Sequence, residues 1–193
     1  MNLNKWNGEW ENFENYIDSD DVNILKCWEN AEEICHAIPM FQKGVKNFWK
    51  KACFTTTKDN SVSIDTWIVE AKNDGLDITW TLKDGSKWNN HYILYSIVEK
   101  GLENKESYLF VSDIKDTPFT FLLLMEPMPD KTEAGLLPHL HFQYGKTAEE
   151  LVQENQLVNP MWYATMVDKE GSLLQKCNLL NTMHHLPILE KLD

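Results

Sequence analysis

Two histidines that are two residues apart, His139 and His141, are the residues whose type and spacing most directly suggest chemistry. Side chains at positions i and i+2 of a β-strand project from the same face, so both imidazoles would point the same way on an extended chain. Imidazole nitrogen is a preferred ligand of zinc and related transition metals. The same spacing also fits a hydrogen-bonded or solvated histidine pair, so a metal site requires a further ligand.

A third ligand is predicted on the strand that precedes the histidines. The segment ending at Glu126 and the segment beginning at His139 are rich in aromatic and aliphatic residues, and the polar, proline-containing loop between them predicts an antiparallel hairpin. In simple register Glu126 would lie near His139, and His141 would lie opposite Leu124. A set of two histidines and one glutamate can hold zinc and leave its fourth position open. The predicted metal ligands are Glu126, His139 and His141.

Most of the remaining chain alternates as a sheet protein does. Short β-branched or aromatic runs are separated by turn sequences such as Asn73-Asp74-Gly75 and Lys83-Asp84-Gly85, which predicts hairpins in series. At least six strands in meander order favour an up-and-down antiparallel barrel. The predicted strands are Ser63–Ala71, Asp77–Leu82, His91–Val98, Tyr108–Val111, Phe119–Glu126, His139–Tyr144 and Trp162–Val167.

Helices are predicted on both sides of these strands. From Ile24 to Cys35 apolar residues recur every three or four positions, which indicates an amphipathic helix within a helical insertion at about 20–50. Ser19 is the expected N-cap of this helix, and Pro39 is expected to end it. The other predicted helices are Phe41–Lys51, Ala148–Gln156 and Leu173–His185. The sequence therefore predicts one α+β, mainly β domain over residues 1–193.

Composition excludes several classes of partner. The 193 residues include 30 acidic and 18 basic side chains, and the net charge of −12 repels nucleic acid and anionic lipid surfaces. No stretch of about 18 apolar residues could span a bilayer, and no export signal is recognised, so a cytoplasmic protein is expected. The four cysteines form no CxxC pair and are expected to remain reduced.

The order and spacing of several segments resemble those of the ZinT family, bacterial zinc-binding proteins with a lipocalin-like (calycin) barrel. The matching features are Trp6-x-Gly8-x-Trp10, a helical stretch of about 40 residues, Tyr92–Tyr95, Tyr108–Phe110, the Pro118-led strand, His139-x-His141-Phe142 and Asn159–Tyr163. The resemblance implies a calycin-like antiparallel barrel, with Trp6 or Trp10 closing its base. It also implies metal ligation by His139 and His141, with Glu126 standing where the family has a histidine.

Two functions remain open at this stage. The first is binding of a divalent transition metal, zinc above all, through Glu126, His139 and His141. The second is binding of a small apolar ligand, or of a protein partner, in the cavity of a barrel that has lost its metal. Enzymatic motifs are absent from the sequence, so catalysis is not expected, and zinc-dependent hydrolysis would need one more titratable group facing the ligands.

Overall fold

A closed barrel of eight antiparallel strands is the main feature of the computed structural model, which describes residues 1–55, 63–129 and 136–192. Around the barrel the strands follow the order β1-β10-β7-β6-β5-β4-β3-β2. The barrel strands are β1 (Gly8–Asn12), β2 (Ile64–Ala71), β3 (Leu76–Leu82), β4 (Lys87–Val98), β5 (Ser107–Ser112), β6 (Phe121–Met125), β7 (His139–Gly145) and β10 (Ala164–Asp168). The prediction of an antiparallel barrel with at least six strands is therefore confirmed.

Local turn chemistry explains why β2, β3 and β4 pair in sequence order. Gly85 adopts a φ of +83°, a left-handed conformation that glycine reaches without steric cost, in the β3–β4 turn. In the β2–β3 turn, a Cβ atom on Gly75 would stand 2.0 Å from the carbonyl oxygen of Tyr92. Each turn thus depends on the glycine of its predicted turn sequence.

Aromatic side chains fill the interior of the barrel. Trp6 and Trp10 have no exposed surface. The indole nitrogen of Trp10 donates to the Trp6 carbonyl at 2.9 Å, and Trp80 stacks on Phe119 with ring centroids 4.3 Å apart. The other aromatic residues of this core are Trp67, Tyr92, Tyr108, Phe110, Phe142 and Tyr144.

A layer of helices lies outside the barrel. Its members are α1 (Glu14–Ile17), α2 (Val22–Cys35), α3 (Val45–Ala52) and α4 (Leu173–Met183), with short 3₁₀ turns at Leu3–Trp6, Pro39–Phe41 and Leu102–Asn104. The apolar faces of α2, α3 and α4 form a second core, which includes Val167 from the outer face of β10. Among the described residues no helix combines the length and the apolar content needed to cross a membrane.

Two details of the predicted helices are wrong. Asp21, and not Ser19, caps α2, because its carboxylate accepts hydrogen bonds from the backbone amides of Asn23 and Ile24. The expected helix at Ala148–Gln156 is replaced by a small hairpin of β8 (Val152–Gln153) and β9 (Gln156–Leu157). Its two turn residues, at 154 and 155, have φ values of 48° and 62°, and this pair of left-handed residues is the geometry of a tight hairpin turn.

Candidate functional site

The pairing of β6 with β7 differs by one residue from the expected register. Leu124 lies opposite Phe142 and not opposite His141, so the register prediction is wrong. The apolar interior accounts for the observed register, because it allows Leu124, Leu140 and Phe142 all to face the barrel core. Successive side chains of a strand point to opposite faces, so this register turns His139 and His141 to the outer surface of the barrel.

Glu126 has partners at one end of the barrel. Its carboxylate accepts a hydrogen bond from the Lys5 ammonium at 2.5 Å and one from the Tyr108 hydroxyl at 3.4 Å. Tyr108 is part of the interior core, on the opposite side of the sheet from the histidine pair. The structure therefore brings His139 and His141 together, with ring centroids 5.3 Å apart, and places Glu126 with other residues.

A different carboxylate, that of Glu103, lies beside His141. Oε1 of Glu103 is 3.1 Å from Nε2 of His141. Glu103 sits in the β4–β5 connection, where it and Asn104 have φ values of 52° and 60°. Gly101 and Asn104 signal a turn in the sequence. However, no local sequence pattern indicates that this turn contacts β7, so sequence reasoning missed Glu103.

Both ring nitrogens of His141 face oxygen atoms. Nδ1 is 2.8 Å from the hydroxyl oxygen of Thr165, and that hydroxyl donates to the Tyr163 carbonyl at 2.7 Å. Oγ1 of Thr165 is thus free to accept from Nδ1, while Glu103 can accept from Nε2. The hydrogen bond from His141 is the main reason that the pKa of the Glu103 carboxyl is lowered to about 2.

Nδ1 of His139 is buried without the kind of hydrogen-bond partner that the ring of His141 has. Burial, followed by the adjacent His141, lowers the pKa of His139 to about 3, so its ring is neutral near pH 7. Its backbone pairs with Met128, but its Nδ1 is buried without a hydrogen-bond partner in the described part of the chain. The pair therefore consists of one ring whose two nitrogens both face oxygen atoms and one neutral ring with unused hydrogen-bonding capacity.

A cavity of about 410 Å³ adjoins these groups, between the outer surface of the barrel and the helical layer. Glu103, His139 and His141 contribute polar atoms to its lining, and Tyr163 and His185 also border it. The apolar wall includes Phe48 and Trp49 from α3, Leu179 and Met183 from α4, and Leu136 and Leu137 before β7. An apolar space with a few convergent polar groups is the usual form of a small-molecule site.

The residues fit a metal only in part. Histidine ligands of metals nearly always donate their second ring nitrogen to an oxygen acceptor. His141 has such a partner in Thr165, whereas Nδ1 of His139 has none. Within residues 1–55, 63–129 and 136–192, no group of three or more His, Cys, Asp or Glu side chains has an arrangement that could hold a metal ion.

Comparisons with protein-family models, with curated proteins and with solved structures found no significant match to this chain. The chemistry of the site must therefore be inferred from its own geometry. Both ring nitrogens of His141 are engaged by oxygen atoms. The arrangement is suited to holding a molecule through apolar contact and a small number of hydrogen bonds.

Proposed function

We propose that this chain binds a small, largely apolar molecule in the cavity between the barrel and the helical layer. The observation that carries the proposal is the combination of an apolar wall of about 410 Å³ with a compact polar group at the histidine pair. This volume lies within the range of roughly 300–1,000 Å³ that is usual for small-molecule sites. Cavities of this size and composition commonly bury most of a small ligand's surface.

The proposed site lies outside the barrel and not within it. Barrels of about eight strands can enclose one small ligand, but here the interior is occupied by aromatic residues such as Trp67, Trp80 and Phe142. The proposed ligand-binding space is the one that α3 and α4 form against β7.

We also propose that the barrel is of the calycin type and related to the ZinT family. Support comes from the closed eight-stranded antiparallel barrel, from the buried Trp6 and Trp10 near its first strand, and from the helices inserted between β1 and β2. The outward-facing histidine pair would then serve ligand binding in this chain.

Fluorescence of N-phenyl-1-naphthylamine, an uncharged probe that brightens in apolar sites, tests the ligand-binding proposal. Met161 borders the cavity with 61% of its surface exposed, so Met161→Trp should fill the mouth without disturbing a packed core. Val158→Trp is the matched control, because Val158 is 48% exposed and does not line the cavity.

We expect a saturable signal in the native chain and in Val158→Trp, and a loss of affinity of at least about tenfold in Met161→Trp. Equal affinities in the two variants would place the probe elsewhere and contradict the proposal.

Zinc binding is the second candidate function. It is favoured by the adjacency of the two imidazoles and by the Glu103 oxygen 3.1 Å from Nε2 of His141. Glu103 would then replace Glu126 as the carboxylate ligand, after a rotation of His139. Calorimetry with zinc on Glu103→Gln and Glu126→Gln separates the two assignments, because each variant removes one similarly exposed carboxylate.

A loss of zinc binding in Glu103→Gln alone would support Glu103 as the carboxylate ligand. A loss in Glu126→Gln alone would support Glu126, the ligand predicted from the sequence. An absence of stoichiometric zinc binding in the native chain would exclude this candidate.

A further inference from the structure

His184 lies inside the helical layer, at the C-cap of α4, and is only 3% exposed. Its imidazole packs edge to face against Trp28 of α2 and Trp49 of α3, with ring centroids 5.6 Å and 5.9 Å apart. A third ring, that of Phe41, is 6.0 Å away. One histidine thus contacts α2, α3 and the 3₁₀ turn between them.

The two ring nitrogens of His184 have partners of opposite character. Nε2 is 2.8 Å from the indole nitrogen of Trp49, which can only donate a hydrogen bond. Nδ1 is 2.7 Å from the carbonyl oxygen of Leu180, which can only accept one. Nδ1 therefore carries the proton and Nε2 does not, so these contacts require a neutral ring. Protonation of Nε2 would turn two N–H groups toward each other and break the bond to Trp49.

Trp49 connects this histidine to the cavity. Its side chain forms part of the apolar wall, and Met183 and His185, the two chain neighbours of His184, also line the cavity. Trp49 is itself only half-buried, so its ring can move outward and give its nitrogen access to water. Loss of the hydrogen bond to His184 would thus remove an aromatic side from the wall.

The titratable groups that face His184 come from several elements. In the described part of the chain, α2 contributes Glu32 and Cys35, whose thiol contacts the His184 carbonyl at 3.8 Å. On α3, the backbone amide of Lys46 donates to the Glu32 carboxylate at 3.2 Å. His185 is the neighbour in sequence. Glu32, the acidic member of this set, is therefore already held by another element.

Burial is the largest cause that lowers the pKa of His184 below the ordinary histidine value of about 6.5. The Leu180 carbonyl and Glu32 oppose this effect, and His185 adds to it. With Trp49 moved outward, water would reach the imidazole and its pKa would return toward the ordinary value. The displaced arrangement therefore binds the proton more tightly, and a fall in pH below about 6.5 favours it.

We infer that His184 is a pH-sensitive switch that holds Trp49 in the cavity wall at neutral pH and releases it on protonation, which weakens ligand binding. This inference rests on the proposed function and names the regulation of its site. Since one proton is involved, the affinity should fall by at most about tenfold for each pH unit.

NMR of the indole N–H groups tests the switch without a ligand, and Trp49→Phe identifies the Trp49 signal. We expect this signal to move in the native chain between about pH 7.5 and about pH 4.5, as its acceptor is protonated. In His184→Gln it should stay in place, because the glutamine oxygen can accept from Trp49 at every pH. A Trp49 signal that is constant in the native chain would overturn the inference.

Binding of N-phenyl-1-naphthylamine over the same pH range tests the effect on the cavity. The loss of affinity should be at least about threefold smaller in His184→Gln than in the native chain. Trp49→Phe, which keeps a ring in the wall but removes the donor, should behave like His184→Gln. His185→Gln is the matched control, because it removes the adjacent cavity histidine and should keep the native pH dependence. Displacement of the probe by decan-1-ol, which has no titratable group, should show the same pattern.

The outcomes separate this inference from the proposed function. Failure of the probe to bind at any pH would refute the cavity as a ligand site, even if the Trp49 signal moves as expected. Binding with the same pH dependence in the native chain, His184→Gln and Trp49→Phe would overturn the switch and leave the proposed function in place. A pH dependence lost only in His185→Gln would also overturn it, because the exposed neighbour would then be the group that titrates.

Discussion

The interior of the barrel and the cavity outside it are built on opposite faces of the same strand, β7. Leu140 and Phe142 point into the interior, where they pack among aromatic rings. His139 and His141 point outward, toward about 410 Å³ of space under the helices. The alternation of the strand thus separates the residues that stabilise the fold from the residues available for binding.

The comparison shows why stability and binding can be varied independently here. Interior residues are fully buried in close contact, so their removal leaves a void within dense packing. Cavity residues already border empty space, and the polar ones include Glu103 and His141, which are in contact with each other. Substitutions on the two faces of β7 and of its neighbours should therefore have effects of different kind and size.

The largest expected effect is that of emptying an aromatic position in the interior. Trp10 is fully buried and hydrogen-bonded to the Trp6 carbonyl. Trp10→Ala should lower the free energy of unfolding by about 3–5 kcal/mol, as measured by urea denaturation. Met161→Ala, at the cavity mouth, should change it by less than about 0.5 kcal/mol. A loss below about 1 kcal/mol for Trp10→Ala would contradict the account of the interior as the stabilising core.

A matched pair of leucines compares the two regions with the same chemical change. Leu124→Ala in the interior should cost about 2–5 kcal/mol, because the surrounding rings cannot collapse onto the void. Leu179 lines the cavity on α4 and already lacks partner atoms on one side, so Leu179→Ala should cost roughly half as much. Equal losses in urea denaturation would mean that the cavity wall is packed as tightly as the interior.

The response of stability to pH is the next effect in size, and it tests the neutral state of His139. The folded-state pKa of about 3 lies below the ordinary histidine value of about 6.5, so between these limits the unfolded chain binds an extra proton. Stability should therefore fall as the pH drops from about 6.5 toward 3. In His139→Leu, the loss between pH 7 and pH 4.5 should be smaller by roughly 1–3 kcal/mol.

His36→Ala serves as the control for this pH dependence, because His36 is an exposed histidine at the C-cap of α2. Its loss of stability between the same two pH values should match that of the native chain. A His139→Leu curve parallel to the native one would show that the His139 ring titrates normally.

The smallest expected effect concerns Glu126, the sequence-predicted ligand. Its contact with Lys5 joins two partly exposed side chains, with 33% and 36% of their surfaces accessible. Such ion pairs contribute about 0–1 kcal/mol, so Glu126→Gln should change the unfolding free energy by no more than that. A loss well above 1 kcal/mol would assign Glu126 a structural role at the barrel end that its two contacts do not explain.

Sequence reasoning succeeded where the determining interactions are local. The turns at Gly75 and Gly85, together with the short β-branched or aromatic runs along the chain, predicted most of the barrel strands within a few residues. The terminal helix was also located, and its capping box at Ser172 and Gln175 is a local feature. These elements depend on residues that are close together in the chain.

Sequence reasoning failed where the determining contact is distant. The long connection between β6 and β7 does not fix their register. Because Leu124 and Phe142 both face the barrel core, the observed pairing differs by one residue from the predicted one. The partner of His141 is Glu103, 38 residues away by their numbers, in a turn that only the closed barrel brings near. Neither the register nor the contact between Glu103 and His141 has a local sequence signature.

The central claim is tested most directly by locating a bound ligand within the protein. Methionine methyl NMR with saturating decan-1-ol compares Met161 and Met183, which border the cavity, with Met166, which is fully buried in the barrel interior. The account predicts that the methyl resonances of Met161 and Met183 shift while that of Met166 stays in place. A shift of Met166 with Met161 and Met183 unchanged would place the ligand inside the barrel and contradict the account.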